Sequence, residues 1–152
     1  METIGKKLGF FTAFIIPALV ISGFYLGGYW NLIPLIFSFL LLPAIDQSLG
    51  TDTSNVSDED AEMRAEAFYY RFITYIWTFV QMCFLFWGAY AVASGRLHSL
   101  IEWFAFLLGF SLVTGGIGIT VAHELGHKKP ALERFYAKLL LMTVCYMHFY
   151  IE

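Results

Sequence analysis

Charge is what this sequence has least of. Only 14% of its 152 residues are Asp, Glu, Lys or Arg, against about 25% in an average soluble domain, and the mean hydropathy is +0.66. A water-facing globular surface cannot be assembled from so little charge, so the chain reads as an integral membrane protein whose main partner is the lipid bilayer. There is no Lys/Arg run, and the net charge is only -3, which excludes a nucleic-acid surface. Cysteine is scarce too. Cys83 and Cys145 sit inside apolar runs without C-x-x-C spacing, which excludes a disulfide framework and a thiolate zinc site and leaves both as packing residues. Aspartate stops at Asp60.

What is abundant is apolar sequence in lengths that fit a membrane. A hydrocarbon core about 30 Å thick takes about 20 helical residues. The uncharged stretch from Leu8 to Ile45 is too long for one span and is interrupted at Gly27-Gly28-Tyr29-Trp30-Asn31, so it reads as two helices, 8–26 and 29–45, joined by a tight turn. A cleaved signal peptide is disfavoured, since no small-residue cleavage site precedes the second run. Pro17 and Pro34 within these spans would free carbonyls, which membrane helices tolerate when neighbours re-satisfy them. Residues 46–71 form an acidic loop with Asp52, Asp58, Glu59, Asp60, Glu62 and Glu66; its second half is expected to be helical from an N-cap at Ser57. Two further spans follow, 72–94 and about 100–122, joined by the short turn Gly95-Arg96-Leu97-His98.

The reading is therefore all-α: a polytopic bundle of four spans forming one membrane domain over 1–152, with a further helix over 133–152. The uncharged part of that last helix is short for a span, so it either lies along the interface or begins something longer. With the N-terminus inside, Lys6, Lys7, Arg64, Arg71, Lys128, Lys129, Arg134 and Lys138 fall on the inner side and only Arg96 outside. That asymmetry follows the positive-inside rule and puts both the N-terminus and the end of the fourth span in the cytoplasm.

At that end lies Ala122-His123-Glu124-Leu125-Gly126-His127-Lys128, the histidine box 123–128 and the one compact group of metal-competent side chains. On a helix His123 and His127 share a face one turn apart, so both imidazoles reach one metal ion. Glu124 points elsewhere. It is the candidate catalytic residue, with a preferred role of accepting a hydrogen bond from a ligand imidazole and fixing its tautomer. Two imidazoles are half of a usual site; His148, Glu152, Glu133 and Asp46 are the candidates for supporting it as ligands or hydrogen-bond partners. His148 and Glu152 are again four apart. His98, in the outer turn, is set aside.

The run His-Glu-Leu-Gly-His-Lys at 123–128, then Glu133, Ala137-Lys138-Leu139-Leu140, and Tyr146-Met147-His148-Phe149-Tyr150-Ile151-Glu152, resembles the integral-membrane alkane 1-monooxygenases, and so does the Leu42-Pro43-Ala44-Ile45-Asp46 segment. The resemblance implies a six-helix bacterial inner-membrane protein with two non-haem iron ions held by several histidine boxes. In such a protein His123 and His127 match the first box, and Glu152 matches the opening glutamate of the second. It also implies the reaction: hydroxylation of the terminal methyl of a medium-chain alkane by O2 to a primary alcohol, with electrons from rubredoxin reduced by an NADH-dependent reductase. Because a third box has no counterpart here, the chain reads as the N-terminal part of such an enzyme, inactive in isolation. Xylene-type monooxygenases, fatty-acid hydroxylases and desaturases carry similar boxes. Outside enzymes, the alternative is a membrane scaffold subunit with a degenerate box. An intramembrane zinc protease also uses H-E-x-x-H, but its downstream aspartate ligand has no equivalent after Asp60.

Overall fold

The computed structural model describes residues 10–49 and 68–150, and among them every regular element is helical. A 3-10 turn, Phe10–Phe14, leads into α1, Ile15–Leu26. Helix α1 stops because Gly27 takes φ 74, ψ 178, a conformation essentially closed to residues with a Cβ, and Gly28 follows at φ 56. A 3-10 turn, Gly28–Leu32, then opens α2, which runs through Ile33–Ile36, a π-helical turn Phe37–Leu41, and Leu42–Leu49. Pro17 and Pro34 both stand in the first turn of their α-helices. There the backbone N–H has no intrahelical acceptor to lose, so neither proline disturbs its span as the sequence suggested.

Helix α3 is Phe68–Ala93. A turn with Gly95 at φ 68 connects it to α4, which is Leu100–Ser111, a π-helical turn Leu112–Ile117, and Gly118–Gly126 without interruption. Helix α5 is Ala131–Thr143. Three segments are long and apolar enough to cross a membrane, Gly28–Ser48, Arg71–Ala93 and Leu100–Gly126, and Thr12–Leu26 is a shorter apolar helix. Among the described residues three or four helices are thus able to span, where the sequence suggested four. Their outward faces are apolar, with Phe79 and Phe86 each 70% exposed, which is the surface a helix offers to lipid rather than to water.

Inside, aromatic rings fill the space between α1, α3 and α4. Phe24 meets the edge of Trp87 at 5.5 Å and packs on Phe106 at 5.7 Å, and Phe84 stacks on Phe110 at 4.8 Å. Gly88 admits that stack, because a Cβ there would overlap the Phe110 ring. At the turn between α1 and α2 the chains come closer still: a Cβ on Gly23 would lie 2.7 Å from the Trp30 carbonyl oxygen.

Two boundaries differ from the sequence reading. Of the stretch expected as an acidic loop, residues 46–49 belong to α2 and residues 68–71 to α3; the rest of it, with the helix expected from Ser57, lies outside the described residues. The expected helix over 133–152 is corrected to Ala131–Thr143. Cys145 adopts φ 55, the Cys145 N–H donates to the Met142 carbonyl at 3.2 Å, and the Tyr146 N–H donates to the Leu141 carbonyl at 2.9 Å. That pair of bonds is a Schellman closure. With Cys where glycine usually stands, no stop signal is visible at this position. His148 therefore lies in a 3-10 turn, Met147–Tyr150, rather than in a continuation of α5, and Glu152, expected to share its helix face, is outside the described residues.

Candidate metal centre

The histidine pair is positioned by the apolar face of α4. Its last part buries Gly118, Ala122 and Leu125, spaced four and three residues apart as one helix stripe. His123 and His127 lie beside that stripe and are exposed. Their Nε2 atoms stand 3.2 Å apart and their rings meet edge to face at 4.5 Å. Two nitrogens each about 2.1 Å from one metal lie about 3.0 Å apart at a right angle and about 3.4 Å apart at the tetrahedral angle, so the observed separation suits two neighbouring positions on a single ion. The same atoms can instead share one proton as an N–H···N bond.

The Phe149 ring lies 5.5 Å from the His123 ring, and Tyr150 carbons come within 3.8 Å of where a Cβ on Gly126 would stand. The Schellman closure at Cys145 thus turns the chain back over the box. Lys138 Nζ stands 4.7 Å over the Tyr150 ring, a cation–π contact that holds the returning segment to α5.

The remaining candidates are dispersed. Glu124 is exposed, and Asp46 is exposed near the end of α2. The His148 ring packs against Tyr146 at 4.3 Å. Glu133 is fully buried. Its Oε1 accepts from Arg71 Nε at 2.6 Å and from Tyr75 Oη at 2.7 Å, both on α3, while its Oε2 is buried with no partner among the described residues. Among the described residues no group of three His, Cys, Asp or Glu side chains converges on one point.

Two polar residues that the sequence reading passed over hold the helices in place. Glu102 Oε1 accepts from the Gly28 N–H at 2.6 Å, and its Oε2 accepts from the N–H groups of His98 and Ser99 at 2.7 and 2.8 Å. Ser99 returns the favour as N-cap, accepting from the Glu102 N–H at 3.2 Å. This is a capping box, and the spacing Ser99-x-x-Glu102 was its visible signal. Gln81, fully buried in α3, accepts from Trp77 Nε1 at 2.9 Å and donates to Thr143 Oγ1 at 3.0 Å and the Thr114 carbonyl at 3.4 Å. An amide inside an apolar span was the signal there.

No family model matches the chain. Individual proteins do. It is 34% identical over 141 residues to an alkane 1-monooxygenase 1 of Alcanivorax borkumensis, covering 90% of this chain and 34% of that protein. To an alkane 1-monooxygenase 2 of Pseudomonas aeruginosa it is 34% identical over 125 residues, 81% of this chain and 32% of the relative. To an alkane 1-monooxygenase of Ectopseudomonas oleovorans it is 31% identical over 153 residues, 97% of this chain and 37% of the relative. The chain thus spans about a third of the length of the curated relatives it matches.

Proposed function

Since this chain is homologous to the alkane 1-monooxygenases across their N-terminal third, we propose that it serves in the O2-dependent hydroxylation of medium-chain alkanes to primary alcohols. Its part is to give His123 and His127 to a di-iron centre. The observation that carries this reading is the 3.2 Å approach of the two Nε2 atoms at the end of a helix long and apolar enough to cross a membrane.

In this reading the bound irons supply the activation of dioxygen that an unreactive C–H bond requires. The protein residues do the rest. His123 and His127 direct their Nε2 lone pairs to one ion, which leaves each Nδ1–H to be held by an acceptor; Glu124, one residue from His123, is the carboxylate proposed for that role. The Phe149 ring, 5.5 Å from the His123 ring, gives the pair an apolar neighbour on one side. The outward apolar faces of the spans, with Phe79 and Phe86 each largely exposed, suit a substrate that partitions into lipid. The excess of Lys and Arg on one side of the spans supports a cytoplasmic histidine box and N-terminus in a bacterial inner membrane, where rubredoxin is the proposed electron donor.

The test uses membranes containing the product of the complete reading frame, supplied with rubredoxin, its reductase, NADH and octane, with iron content and 1-octanol both measured. His123→Ala and His127→Ala are each expected to abolish both. Full iron and full product in either variant would end the ligand assignment, and product formation without iron in the wild type would end the di-iron assignment. Failure of the wild type to bind iron or make product would favour the scaffold reading.

A further inference from the structure

The direction in which the histidine pair faces is not what a regular helix would give it. His127 follows Gly109 by five full turns of 3.6 residues, so on an uninterrupted α-helix the two lie on the same side. Gly109 is buried against Val20 of α1 and Pro34 of α2, yet His127 is exposed and the buried stripe below it is Gly118, Ala122 and Leu125. Between the two halves lies the π-helical turn Leu112–Ile117. A π turn carries one surplus residue, which rotates everything after it by about 100° relative to an α-helix of the same sequence.

Such a turn needs a reason to persist, since its backbone hydrogen bonds are out of the usual register. Gln81 supplies one. Its amide has three partners: Oε1 takes the Trp77 indole N–H, while Nε2 donates to Thr143 Oγ1 on α5 and to the carbonyl of Thr114 within the turn. Thr143 gives its own proton to the Leu140 carbonyl at 2.6 Å, which leaves its oxygen free to accept from Gln81. Within the turn, Thr114 Oγ1 donates back to the Phe110 carbonyl at 3.1 Å. The fit is close: a Cβ on Gly118 would stand 2.5 Å from Gln81 Oε1, so Gly118 is what admits the amide. Gly115 and Gly116 face open space, which identifies Gly118, not the whole glycine run, as shaped to this contact.

We infer that Gln81 is a positioning residue: by holding the π turn Leu112–Ile117 against α3 and α5, it sets the direction in which His123 and His127 present their Nε2 atoms. The inference deepens the metal-site reading, but its test does not need iron. Two histidines four residues apart on a helix chelate a copper(II)–iminodiacetate complex, and copper-to-nitroxide distances by pulsed electron paramagnetic resonance then report where the pair points. The nitroxide is placed on Phe79→Cys, an outward position on α3, with Cys83 and Cys145 replaced by serine, in the full chain in lipid nanodiscs.

Gln81→Met keeps the volume and removes all three hydrogen bonds. It is expected to let the turn tighten, carry the copper sideways by about 8 Å and shift the copper–nitroxide distance by about 3 Å or more. Deleting Gly116 removes the surplus residue, so it is expected to leave the distance unchanged alone and to restore it in the Gln81→Met background. Gly118→Ala, which displaces the amide without touching it chemically, is the second variant and is expected to reproduce the shift should Gln81→Met not fold. An unchanged distance in the folded Gln81→Met or Gly118→Ala chain overturns the inference, as does a shift that the Gly116 deletion fails to reverse. Absence of copper chelation by the starting chain overturns it too, because the pair would then not be held as described. Loss of iron binding in the enzyme assay alone would instead count against the metal-site reading.

Discussion

His123 and His127 hold their Nε2 atoms 3.2 Å apart on successive turns of α4, and the backbone between them is fixed by the burial of Ala122 and Leu125. Chelation by such a pair depends on both rings at once, because the second nitrogen binds at the high effective concentration created by the first. Copper(II)–iminodiacetate affinity is therefore expected to fall on the order of 100-fold in either His→Ala variant, which keeps the weak binding of one imidazole, and to be lost in the double variant. A fall confined to one histidine would show that the rings do not act together.

Cys145 is held at φ 55, where a side chain costs about 1–2 kcal/mol and glycine nothing. Cys145→Gly is expected to raise unfolding free energy by about 1 kcal/mol without moving the segment that follows, and thermal melting in detergent measures it. Destabilisation by this change would mean that the thiol makes a contact worth more than the strain.

Glu133 accepts from both Arg71 and Tyr75 while fully buried. Removing the carboxylate leaves the guanidinium and the Tyr75 hydroxyl without the acceptor they share, whereas removing Arg71 as well takes the uncompensated charge away and leaves only the hydroxyl. Glu133→Leu is expected to lose several degrees of melting temperature, and adding Arg71→Leu to recover part of that loss. A double variant less stable than Glu133→Leu would show that Arg71 has another essential partner.

Glu102 joins the Gly28, His98 and Ser99 amides. In Glu102→Ala all three should exchange hydrogen faster, and together. Ser99→Ala should lose only the cap, about 1 kcal/mol, with Gly28 still protected. Mass-spectrometric hydrogen exchange separates the two, and Gly28 protection that survives in Glu102→Ala would refute the tie.

The parts of the fold that could be read from the sequence are those written in residue type at the place where they act. Gly27 marks the first turn because its dihedrals are essentially closed to residues with a Cβ, and His123 and His127 mark a pair because four residues is about one helical turn. The parts that escaped depend on residues distant in sequence or on an unusual residue in a familiar role. Cys145 closes a helix where glycine would have announced the stop, so the end of α5 was placed too late. The π turn at Leu112–Ile117 has no composition of its own; what meets it is Gln81 on α3, itself bonded to Thr143 on α5. Glu133 was expected near the histidines, but its charge is taken up by Arg71, a pairing that only the packing of α5 beside α3 creates.

The bond from the Gly28 N–H to Glu102 also orders events during synthesis. The turn between α1 and α2 is synthesised well before α4, so that N–H has no protein acceptor until residue 102 has been made and α4 has packed. The first hairpin is thus completed by a residue that lies 74 positions later in the chain.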